Sequence, residues 1–279
     1  PPANTPAAPT DQDRVSSGGK LASMVHNYAA RYVEAPRAND HITFSGGIRS
    51  KILPTDPHSG AALWWSDRID DLDSTLTRAV DMTKATSNTL SFWSWYEIEK
   101  DYDYAYVAAS TDGQHWTTLP AQTTTTDDPN GQNLGNGFTG KSGGDKPQWT
   151  KEDVDLSAYA GKQIQLRFEY VTDAALSLHG FALDDISIPG VFSDDAETDG
   201  GWQANGFVRS TNLVAQRYVV QLLRFTDKGA TVERHLVDGG TLSIDVDTTN
   251  DRKPPLLAIT GLAVRSTEPV PFQVSVDKR

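Results

Sequence analysis

Between residues 60 and 190 no stretch keeps an apolar face at helical spacing for three turns, and this absence narrows the fold more than any motif does. What recurs instead is the period of two that a half-buried strand requires. Gln163 to Val171 sets Ile164, Leu166, Phe168 and Tyr170 on one face, against Gln165, Arg167 and Glu169 on the other. Leu63–Ser66, Leu90–Tyr96, Tyr104–Ser110 and Phe181–Ile188 carry the bulky aromatic and branched residues that suit a pleated surface. Asp112-Gly113 supplies a tight turn into Trp116–Leu119. Its surroundings, Ser110–Trp116, resemble the Asp-box hairpin of sialidases one residue short, which reads as turn chemistry with Trp116 packing.

These strands predict an all-β fold, with a first domain over residues 25–190 and its core at 40–190. Residues 1–24 begin Pro/Ala-rich and read as linker or tail, the start of a piece cut from something longer. Met24–Glu34 fits a short helix or a strand equally. Pro189-Gly190 marks a boundary, after which residues 191–279 form a smaller β unit packed on the first domain or on the strands near residues 25–45. Thr123 to Lys146 is a long polar, Gly-rich loop, a type that is either functional or mobile.

Charge excludes some functions. With 25 Lys+Arg against 37 Asp+Glu, the formal charge of −12 repels nucleic-acid phosphates and anionic membranes and attracts hard cations. No apolar run is long enough for a membrane span. The chain has no cysteine, which removes disulfides, zinc ribbons and thiol nucleophiles, but does not argue for the cytoplasm.

Several segments together resemble the C-terminal region of the immune inhibitor A family of secreted bacterial zinc metalloproteases. They are Trp64-Trp65-Ser66, Asp73–Arg78, Leu90–Val107 with Trp95–Tyr106 at its centre, Ser110–Gly113, Val154–Gly161, Phe181–Ile186, Asp194–Glu197 and Gly201-Trp202. The resemblance implies a jelly-roll sandwich related in form to MAM and carbohydrate-binding modules, placed after a zinc protease domain and commonly supported by calcium. It also implies secretion. The His-Glu-x-x-His signature of those proteases does not occur in this chain.

Candidate sites follow from residue chemistry. None of the six histidines stands three or four from another, so no helix can offer a pair to zinc, and no zinc site is expected. No complete Gly-x-Ser-x-Gly elbow exists, so no catalytic residue is assigned. The acidic clusters are stronger: Asp67/Asp70/Asp71/Asp73, Asp101/Asp103, Asp184/Asp185 and Asp194/Asp195/Glu197. Calcium takes six to eight oxygens, and carboxylates from separate strand ends can supply them. Alternation should turn one of Asp184 and Asp185 inward among Phe181, Leu183, Ile186 and Ile188, where it needs a cation or several donors. Trp93 and Trp95 share a face, either a ligand platform for sugar or ordinary core.

The function expected from all this is a non-catalytic accessory region. It would stabilise the N-terminal protease domain of the same polypeptide or bind its protein or glycan substrate. A stand-alone carbohydrate-binding module is the alternative, and a hydrolase on a β-sandwich is a weaker one.

Overall fold

A computed structural model describes residues 12–278. The chain divides into two compact units: one of residues up to Pro54 together with those from Leu213 onward, the other Thr55–Asn212. Each has its own apolar core.

The Thr55–Asn212 unit is an antiparallel β-sandwich. One sheet runs in the order Thr117–Thr118, Tyr104–Ser110, Gln163–Val171, Asp73–Asp81, Gln203–Asn205. The other runs Thr150–Asp155, Thr89–Glu97, Gly180–Ile188, Leu63–Trp65, Val208–Ser210. From Asp73 to Ile188 the long strands alternate between the sheets, the wiring of a jelly roll. Leu76, Val107, Leu166, Phe168 and Tyr170 from one sheet close on Leu90, Phe92, Phe181, Leu183 and Ile186 from the other. The period of two read in Gln163–Val171 is the burial pattern found there.

Two sequence expectations about organisation change. Pro189-Gly190 is a hairpin turn rather than a boundary. Val191 N–H donates to the Ile188 carbonyl, and Phe192–Asp194 pairs back on Gly180–Ile188. Gln203–Asn205 and Val208–Ser210 then pair with strands of the sandwich, so residues 191–212 belong to it. Conversely, residues 25–54 pair with the C-terminal part: His41–Gly46 lies between Pro269–Asp277 and Gly240–Asp245, and Ala30–Glu34 pairs with Leu256–Ala263.

Residues expected as tail also carry strands, Gln12–Arg14 and Lys20–His26, while residues 1–11 of that tail lie outside the described ones. The region Met24–Glu34 is two strands and no helix. The resulting unit is a second β-sandwich, with Phe44, Tyr218, Leu257, Phe272 and Val274 in its core. Chain order makes Thr55–Asn212 an insertion within it. The ends of the insertion are clasped, the Asn212 side-chain amide donating to the Thr55 carbonyl at 2.7 Å.

The loop Thr123 to Lys146 is fixed in place. Gly137–Phe138 pairs with Tyr104–Ser110, and Phe138 is buried against Phe92, Tyr96 and Phe181. Asn133 donates to the carbonyls of Thr125 and Asp127, and Asn136 to that of Thr118.

Candidate cation site

Strand register assembles an acidic cluster that the sequence scatters. Val171 pairs with Tyr104, so the residues just beyond that rung, Asp103 before one strand and Asp173 after the other, meet at one end of the sandwich. Glu99 arrives from a tight turn whose Tyr102 and Asp103 amides donate to the Glu99 carbonyl, with Asp101 at a left-handed φ of 68°. Among the described residues, Glu99, Asp103 and Asp173 bring carboxylate oxygens within 4.8 Å of one another.

Asp103 is fully buried. Its Oδ1 accepts from the Asp173 amide at 3.0 Å and its Oδ2 from the Tyr170 hydroxyl at 3.3 Å. Burial, then the charges of Asp173 and Glu99, push its pKa up from 3.8 to about 6. Glu99 is also raised, by desolvation and then by Asp173, and Tyr170 by burial and by Asp103. No Lys, Arg or His pairs with any of the three carboxylates among the described residues. Three hard oxygen donors without a paired cation are ligands of the type calcium takes, and supply part of the six to eight oxygens it requires. A cleft of about 580 Å³ opens beside Glu99, lined also by Lys100, Lys141, Leu176 and Leu178.

The acidic run Asp67–Asp73 borders this end through its backbone. The Asp71 amide donates to the Asp173 carbonyl and the Leu72 amide to the Thr172 hydroxyl. Asp70 accepts from Ser177, Asp67 caps the Arg68 amide, and Asp73 opens a strand beside Glu169, adding to the rise in that residue's pKa after burial. Asp101 projects toward a second cleft, of about 690 Å³, shared with Asp127 and Asp128. Sequence reading found Asp103 but not Glu99 or Asp173. Their signal was only that each flanks a strand end.

Asp184 and Asp185 do something different from the expectation. Asp184 is buried, yet it stands on the same pleat face as its register partner Trp93, away from the core occupied by Phe181 and Leu183. A bulge follows, with Asp185 at φ 49°, and this breaks the alternation on which the inward reading depended. Three backbone amides, of His58, Ser59 and Asp185, donate to the Asp184 carboxylate. Burial still raises its pKa to about 6. Asp185 accepts from the Ser59 hydroxyl at 2.7 Å and lies 2.6 Å from His58 Nδ1.

Asp194 accepts from the indole N–H groups of Trp64 and Trp202 at 3.1 and 2.7 Å, and from the Ala196 amide. Glu197 accepts from the amides of Ala61 and Ala62, and Asp195 from the Glu197 amide. These carboxylates are therefore occupied in tying strand ends and turns, and the structure does not gather them into one cluster. The tryptophan pair is likewise split. Trp95 is 1% exposed, with its ring edge-to-face with His179, and cannot be a platform. Trp93 is half-buried under the His58 ring.

The fold and the cluster together define a jelly-roll β-sandwich module with three carboxylates gathered at a strand-end junction. The chain belongs to the immune inhibitor A-like MAM domain family, whose model matches residues 46–212. That match ends where the inserted sandwich ends. The chain is similar to the pre-pro-metalloprotease PrtV of Vibrio cholerae, at 33% identity over 158 residues, covering 55% of this chain and 16% of that protein. It is similar to Immune inhibitor A of Bacillus thuringiensis subsp. alesti at 34% over 167 residues, covering 58% and 23%. Bacillopeptidase F of Bacillus subtilis matches at 31% over 98 residues, covering 35% of this chain and 5% of that protein. The match thus spans less than a quarter of the length of each relative. No helix among the described residues is long and apolar enough to cross a membrane.

Proposed function

We propose that this chain is a non-catalytic accessory region of a secreted bacterial metalloprotease, stiffened by calcium. The observation that carries the reading is that the family model covers the inserted sandwich, and that two similar proteins are named as a metalloprotease and an immune inhibitor. Its partner is the N-terminal protease domain of the same polypeptide, which it stabilises or holds against a protein or glycan substrate. Glu99, Asp103 and Asp173 hold the calcium. The ion supplies the positive charge that offsets their mutual repulsion and so ties the Glu99–Asp103 turn to the segment following Val171.

Incubation of the isolated chain with casein, with and without zinc, tests the non-catalytic part. No cleavage above a buffer control is expected, and zinc-dependent cleavage abolished by a chelator refutes it. Thermal unfolding with and without calcium tests the ion. The expected result is a midpoint that rises with calcium concentration, since an ion that binds only the folded state stabilises it.

A further inference from the structure

The segment from Asp56 to Ala61 lies as a strap on the outer face of the sheet containing Thr89–Glu97 and Gly180–Ile188, and polar bonds rather than core packing hold it. None of residues 56–60 is buried. The Trp149 indole N–H holds the Asp56 carbonyl at 2.8 Å, Asp184 takes the His58 and Ser59 amides, and Glu197 takes those of Ala61 and Ala62. At its middle the His58 imidazole lies flat on the Trp93 indole, with ring centroids 3.9 Å apart and planes 18° apart. The Trp149 ring stands edge-on to His58 at 5.9 Å. The side chains of His58 and Asp185 remain 27% and 28% exposed, so this stack is at the surface.

A flat ring on an indole face, bordered by a carboxylate and a hydroxyl, is the arrangement by which proteins hold a pyranose: C–H groups on the aromatic face, hydroxyls hydrogen-bonded at the rim. Here the ring on the indole is the protein's own, and the rim groups are Asp185 and Ser59. With a formal charge of −12 the chain disfavours anionic ligands, which points to a neutral sugar. We propose that Trp93 is a glycan-stacking shelf that the His58 strap keeps shut, with the imidazole standing where a neutral pyranose ring would lie. Binding then requires the strap to lift, which lowers apparent affinity by the fraction of molecules in which the shelf is bare. Because the shelf is read on this chain alone, its failure leaves the accessory role untouched.

The test is tryptophan-fluorescence titration of the full chain with N-acetylglucosamine and mannose tetrasaccharides, backed by a neutral-glycan array. His58→Ala should bind at least about tenfold more tightly than the unaltered chain. His58→Ala combined with Trp93→Ala should lose that gain. A folded His58→Ala protein with no gain, or a gain that survives loss of Trp93, overturns the proposal. Should His58→Ala fail to fold, His58→Ser removes the same ring from the Trp93 face while leaving the Asp185 and Ser59 rim intact. The same gain is then expected of it, and its absence in the folded variant overturns the proposal equally.

Discussion

Burial of Asp103 and Asp184 makes the inserted sandwich more stable in mild acid than at neutrality when calcium is absent. Each carboxyl is raised from 3.8 to about 6 by burial first, so in the folded state each binds a proton at a pH where the unfolded chain has released it. The stability linked to that proton is present in full below the unfolded value and is lost as pH rises through about 6. Between about pH 5 and pH 7 the loss amounts to about 1–1.5 kcal/mol per group, so about 2–3 kcal/mol for the pair.

Other groups leave the sign unchanged. Asp81, Asp112 and Asp155, held low by hydrogen bonds from Thr83, His115 and Ser157, are ionised in both states throughout this window. Glu152 and Glu169, raised by burial, add in the same direction, as does His115, raised by its bond to Asp112. Calcium at Asp103 keeps that carboxyl ionised, removing its share, so saturating calcium should flatten the profile and lift its neutral end most.

The assay is urea unfolding followed by tryptophan fluorescence. All seven tryptophans lie between Trp64 and Trp202, so the signal reports the inserted sandwich alone although the chain has two units. In chelator, a stability that stays flat or rises from pH 5 to pH 7 refutes the reasoning.

Three substitutions follow from the same bonds. Asp184→Ala strips the acceptor from the amides of His58, Ser59 and Asp185 and should cost about 2–3 kcal/mol in urea unfolding at neutral pH. Asp194→Ala orphans two buried indole N–H groups and should cost roughly as much, with a changed tryptophan emission in the folded protein. Glu99→Gln should leave the calcium-free unfolding midpoint nearly unchanged, because Glu99 is only half-buried, yet reduce the rise that calcium produces.

What the sequence made legible is what lies close along the chain. Ile164, Leu166, Phe168 and Tyr170 declare their face by alternation alone, and all four are buried. Asp112-Gly113 declares a turn, and Asp112 Oδ1 indeed accepts from the amides of Gln114 and His115. What depends on distant partners was not legible. Asp173 joins Asp103 only because Val171 pairs with Tyr104, and nothing near residue 173 encodes that rung. One of Asp184 and Asp185 was expected on the core face because alternation assumes an unbroken ladder, whereas the bulge after Asp184 is a tertiary choice. The insertion escaped notice for the same reason. Lys20–His26 pairs with Pro269–Asp277 across nearly the whole chain, while Pro189-Gly190 signals a turn without saying whether a domain ends there.

The clasp between Asn212 and Thr55 has a mechanical meaning. Just outside it, Arg49–Lys51 runs antiparallel to Leu213–Ala215, so both strands of the stem enter side by side. Tension applied to the two ends of the chain therefore bypasses the inserted sandwich until that stem unzips. A module wired in this way is shielded from tension carried along the backbone.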